Sequence, residues 1–154
     1  MSLQFLADIH RVAGRLVAAV EGQGRGAGSA TDLFALAILC ENEQCDIAAL
    51  QTRMGVAPST LSSILNRLEK QGLIQRQTSL RDRRTFDLAL TSLGRVQAEL
   101  ARSVLERLED QMTGQLSYGQ VIAFTEVIEC LEKTLMEVKR SSRSQSVRRA
   151  TAPG

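Results

Sequence analysis

Seven polar side chains with one spacing stand out in this chain: Ser59, Thr60, Ser62, Ser63, Asn66, Arg67 and Lys70. Winding Pro58 to Gln71 as a helix at about 100° per residue puts Leu61, Ile64, Leu65 and Leu68 on one face. Ser59, Ser62, Ser63, Asn66 and Lys70 fall opposite, with Thr60 and Arg67 on a flank. Surface helices usually carry long acidic and basic side chains outward. Here short hydroxyls and an amide face outward, groups able to approach a base edge and donate or accept there. The pattern predicts a helix that lies in the major groove of DNA. The hydroxyls would serve bases or phosphates, Asn66 an adenine edge, and Arg67 and Lys70 phosphate.

A second cluster follows at Arg81, Asp82, Arg83 and Arg84. Three guanidiniums around one carboxylate repel one another unless an anion compensates. The narrow minor groove of A·T-rich DNA concentrates the negative potential that would do so.

The elements that must position these residues are legible on either side. Leu3 to Val20 carries apolar residues at helical spacing, and Gly22 to Ala30 is a glycine-rich connector. Thr31 or Asp32 is placed to cap the next helix, whose LFALAILC run is apolar all round, as in a helix buried on most sides. Asp46 suits the N-cap of Ile47 to Met54, Gly55 its C-terminal stop, and Pro58 the first turn of the groove helix. Leu73 to Gln77 and Phe86 to Leu90 read as the two antiparallel strands of a wing around the basic tip. Thr91 opens a long helix to about Met112, and Ser117 opens the last. The apolar band on Leu93 to Met112 is wider than one neighbouring helix covers. With the one-sided first and last helices, it predicts a core shared with a second copy of the chain. In such a dimer the two groove helices would lie about one DNA turn, roughly 34 Å, apart.

Charge is distributed to match. The net charge is +2, yet Asp46 to Arg84 holds seven cations and three acids, and Lys139 onward holds five cations and no acid, leaving −7 for the rest. That asymmetry is expected of a phosphate-binding protein. Residues 140–154 read as a basic flexible tail. No apolar run is long enough to span a bilayer, and the N-terminus lacks a secretory pattern. Three cysteines, an odd count, argue for reduced thiols in a cytoplasm.

The ordered set IAALQTRMGVAPSTLSSILNRLEKQGLIQR, then Asp-x-Arg at Asp82 to Arg84, then LTSLGR resembles the MarR-type winged helix-turn-helix regulators. The likeness covers nearly all of the chain except the tail. It implies a mostly α (α+β) winged helix-turn-helix fold in a single domain over 1–139. The DNA reader would occupy about 46–91, and dimerisation helices about 3–20 and 92–139. It also implies a homodimer, a pseudo-palindromic double-stranded operator, a minor-groove role for Arg84 and a wing-steadying role for Asp82. The function implied is repression relieved by a small-molecule effector. The glycine-rich connector and the tail depart from the family pattern.

Other readings compete. The same scaffold could serve as a ligand- or protein-interaction module without sequence-specific DNA binding. It could also act as a thiol-based redox sensor through Cys45, placed at a helix start, or Cys130, on a polar face; Cys40 reads as a small core residue. His10 is the only histidine, and no Cys or His pair has ligand spacing, so no metal or other cofactor is expected. An enzyme is not expected either. GQGRGAG follows a helix rather than a strand, and no nucleophile–His–carboxylate set is present.

Overall fold

Leucine and alanine dominate α2 (Ala30–Glu41), and this helix is the hub on which the others settle. The computed structural model describes the backbone of residues 3–24, 28–41, 45–78 and 86–150, and side chains over the same ranges except 78 and 139–150. The elements are α1 (Gln4–Gln23), α2, β1 (Cys45–Asp46), α3 (Ile47–Met54), α4 (Pro58–Lys70), β2 (Ile74–Thr78), β3 (Phe86–Leu90), α5 (Ser92–Thr113) and α6 (Tyr118–Ala150). The chain divides into two compact units, Met1–Glu109 and Asp110–Gly154.

In the first unit α2 packs on α1, α3, α4 and β3. Leu33, Leu36, Leu50, Leu61, Ile64, Leu65, Leu68 and Leu88 are almost fully buried in one cluster, with Ala98, Ala101, Val104 and Leu108 of α5. The apolar stripe of α4 is therefore the buried face, and each of its four side chains contributes about 1.5–3 kcal/mol by leaving water. The cap of α2 differs from expectation. It is Ser29, not Thr31 or Asp32: Ser29 Oγ accepts from Asp32 N at 3.4 Å, and Asp32 Oδ2 accepts from Ser29 N at 3.1 Å. This reciprocal box satisfies two of the donors a helix start leaves open.

Asp46 caps α3, its Oδ1 accepting from Ala49 N at 2.6 Å, and Gly55 ends that helix at φ +63°, where a side chain would be strained. Pro58 occupies the first turn of α4. The wing strands pair antiparallel from Ile74↔Leu90 to Thr78↔Phe86. A third strand joins them: β1 pairs with β3 at Cys45↔Leu88 and Asp46↔Asp87, giving the order β1-β3-β2. A two-residue strand carries no periodicity, so sequence reading supplied only the two-stranded wing.

Thr91 caps α5, accepting from Gly94 N at 2.9 Å and donating to the Gly72 carbonyl at 2.6 Å. Gly94 has no alternative, because a Cβ there would lie 1.7 Å from the Leu73 carbonyl oxygen. The wide band on α5 splits in two. Ala98, Ala101, Val104 and Leu108 are buried, whereas Leu93, Val96 and Leu100 are each more than half exposed.

In the second unit Ser117 and Gln120 form another capping box, with Ser117 N donating to Gln120 Oε1 at 2.8 Å. It starts α6, which continues to Ala150, well past Lys139 where a tail was expected to begin. Residues 139–150 hold Lys, Arg, Ser, Gln, Val and Ala and neither Gly nor Pro, so no strong helix breaker occurs among them.

Candidate nucleic-acid interface

Helix α4 is built outward from its buried stripe. With Leu61, Ile64, Leu65 and Leu68 inside, Ser59, Thr60, Ser62, Ser63, Asn66, Arg67 and Lys70 are all exposed. The hydroxyls and the amide thus share one solvent-facing surface, free of covering protein among the described residues. Ser63 Oγ donates back to the Ser59 carbonyl at 3.0 Å, leaving its lone pairs available to an outside donor. Asn66 Oδ1 accepts from Arg76 on β2 at 2.9 Å, and Arg76 Nε lies 3.5 Å from Glu69 Oε2. The first strand of the wing is thereby tied to the outer face of α4. A bidentate contact to adenine would use both ends of the Asn66 amide, and Oδ1 keeps a second lone pair for it beside the one that Arg76 occupies.

Arg67 has a partner that no local pattern announced. Its Nε donates to Asp32 Oδ1 and Oδ2 at 3.1 and 2.9 Å, and its terminal nitrogen to Asp32 Oδ1 at 2.5 Å and Ser29 Oγ at 3.3 Å. The hydrogen bonds to the Asp32 carboxylate raise the Arg67 pKa above its ordinary value. The phosphate role expected of Arg67 thus meets a guanidinium already committed to a carboxylate, although its outer edge remains partly exposed. Lys70, by contrast, makes no ion pair among the described residues and remains available to phosphate. Arg81, Asp82, Arg83 and Arg84 lie outside the described residues.

The thiols occupy unlike settings. Cys45 stands in β1 directly before the Asp46 cap of α3, as its place at a helix start implied, and it is buried there. Burial first, then the charge of Asp46, pushes its thiol pKa up. Desolvation of this kind penalises the charged form and opposes the help that a neighbouring helix start gives a thiolate. Cys40 is half-buried, donates to Glu99 at 3.3 Å and is pushed up by burial and by Glu99. Cys130 is exposed.

Between α2 and the end of α3 lies a groove of about 280 Å³ lined by Thr31, Phe34, Ile38, Arg53, Met54 and Val56. Arg53 at its rim is paired with Glu41 at 2.6 Å, so the groove offers apolar shape rather than free charge. No group of three or more His, Cys, Asp or Glu capable of holding a metal occurs among the described residues. Nor is any described helix long and apolar enough to cross a membrane.

Known proteins resemble this chain in sequence and in fold. The sequence profile of the MarR family matches residues 29–86, from the Ser29 cap to the start of β3. The HTH-type transcriptional repressor MdtR of Bacillus subtilis is 32% identical over 99 residues, 64% of this chain; the match spans only 61% of that relative's length. The HTH-type transcriptional regulator YwhA of the same organism is 30% identical over 95 residues, 62% of this chain and 68% of its own length. Among solved structures, Bordetella bronchiseptica BpsR, whose DNA binding is regulated by 6-hydroxynicotinic acid, superposes with a TM-score of 0.70 at 19% identity. That match covers 84% of this chain and 98% of BpsR, and at such identity it speaks for the fold.

Proposed function

Because this chain belongs to the MarR family of DNA-binding transcriptional regulators, we propose that it acts as a homodimeric repressor of pseudo-palindromic operators in the cytoplasm, relieved by a small-molecule effector. The observation that carries the reading is the two-sidedness of α4. Its apolar stripe is sunk in the core while Ser59, Ser62, Ser63 and Asn66 face outward. In this reading those side chains meet base edges and Lys70 meets phosphate, while Arg84, steadied by Asp82 and flanked by Arg81 and Arg83, reaches a minor groove. Repression is supported by the likeness to MdtR, and control by a small ligand by the shared fold of BpsR.

Relief would be geometric. Two readers held by one dimer core engage successive grooves only at one separation. A ligand that binds a different separation more tightly shifts the population away from DNA, by no more than its differential affinity. Burial of Cys45, which favours its thiol form, weighs against the thiol-sensor alternative at that residue, whereas Cys130 is exposed.

Fluorescence anisotropy separates this function from an interaction module on the same scaffold. The expected result is a preference for a palindromic duplex over random duplex, and an affinity that falls steeply with salt as counterions are released. Equal, weak binding to both duplexes at all salt concentrations would overturn it.

A further inference from the structure

We infer that Asp32 is a positioning residue for DNA reading, fixing the rotation of α4 through Arg67. The inference rests on α4 as the reader. Asp32 is 2% exposed, so it touches no DNA itself. Its carboxylate accepts from Ser29 N and Ser29 Oγ at 3.1 and 3.0 Å, which seals the start of α2, and from the Arg67 fork, which belongs to α4.

Helix capping alone does not require this arrangement, because an exposed acid three residues into a helix caps as well. Stability does not require it either, since burying a charged pair is often no better than burying apolar side chains of the same volume. Geometry does. The leucine stripe of α4 is held by non-directional contacts, which resist withdrawal from the core more than rolling about the axis. Side-chain tips stand about 5–6 Å from a helix axis, so a roll of roughly 20° displaces them by about 2 Å. That exceeds the window of a hydrogen bond to a base edge. A planar fork on the flank of the helix, gripped by a fixed carboxylate, blocks such a roll, whereas a point-charged ammonium would not.

The start of α2 that Asp32 anchors is also tied to α1. Glu21 of α1 accepts from Ala30 N at 3.1 Å, so the same cap is held from both sides.

The test uses the full-length protein, a duplex selected from a random pool with the wild-type protein, and a scrambled copy of that duplex. The readout is the ratio of the two affinities for wild type, Asp32→Asn, Arg67→Lys, Arg67→Ala and the Asp32→Asn/Arg67→Ala double variant. Positioning predicts that each single variant lowers the ratio about tenfold, the equivalent of one lost base contact. It also predicts that the double variant falls no further than Arg67→Ala. The inference is overturned if Arg67→Lys behaves as wild type while Arg67→Ala weakens both duplexes equally, the signature of a phosphate contact. It is equally overturned if Asp32→Asn lowers the melting temperature and leaves the ratio unchanged. A wild-type ratio of one would instead remove the reader assignment on which the inference stands.

Discussion

Asn66 and Arg67 are adjacent in the chain, and the structure gives them different work. Asn66 stands on the outer face of α4 with its amide oxygen held by Arg76, while Arg67 turns along the flank to Asp32. Asn66→Ala is expected to leave folding intact and reduce discrimination between a selected duplex and its scrambled copy by about 1–3 kcal/mol, measured by competition. An equal loss on both duplexes would show that Asn66 reads no base. The cysteines give a second check at this scale. Thiol labelling of the native protein should modify exposed Cys130 quickly and buried Cys45 only on unfolding, because burial both hides the Cys45 sulfur and holds it as the thiol. The outward side chains of α4 were legible from spacing alone, since an apolar stripe fixes which residues oppose it. The Arg67–Asp32 pair was not, because its partners are thirty-five positions apart and no local period links them.

Elements with a repeating pattern could be read directly. Helix α4, the paired strands β2 and β3, the Asp46 cap and the Gly55 stop all follow from stripes or from residues with special backbone roles. Strand β1 and the Ser29 cap escaped for opposite reasons. Two residues are too few to show alternation, and the Ser29–Asp32 segment offers three polar residues, any of which could cap. The Gly94 contact was hidden too, as nothing near Gly94 in sequence says that the Leu73 carbonyl passes beside it. That contact yields a strong expectation. Gly94→Ala forces α5 away from Leu73 and should lower thermal stability by several kcal/mol, on the order of the larger single-mutation effects. Asp46→Ala, which removes one exposed cap bond, should cost about 1 kcal/mol. Denaturant unfolding followed by circular dichroism ranks the two; a Gly94→Ala variant as stable as wild type would show that the close approach is absent in solution.

For the whole molecule, the unanswered demand is apolar surface. Phe5, Leu6 and Val12 of α1, Leu93, Val96 and Leu100 of α5, and Phe124, Leu135 and Met136 of α6 are each more than half exposed. Single exposed apolar residues are ordinary; sets of them along one helix are the kind of surface a second chain would cover. Association through these helices as a dimer is the expected outcome, and light scattering after size exclusion should report twice the 16.8 kDa chain mass at micromolar concentration. A stable monomer there would remove the two-reader geometry and with it the palindromic operator. The sequence disclosed the apolar faces, but their division into a buried half and an exposed half on α5 required the packing around Ala98 and Ala101.

Whether the outward face of α4 reads base sequence is decided by selecting duplexes from a random pool with the purified protein and sequencing those retained. Two such faces held in one dimer should enrich a single inverted repeat with half-sites about one helical turn apart, roughly 10 base pairs centre to centre. Retained duplexes with no common sequence after repeated rounds would contradict it.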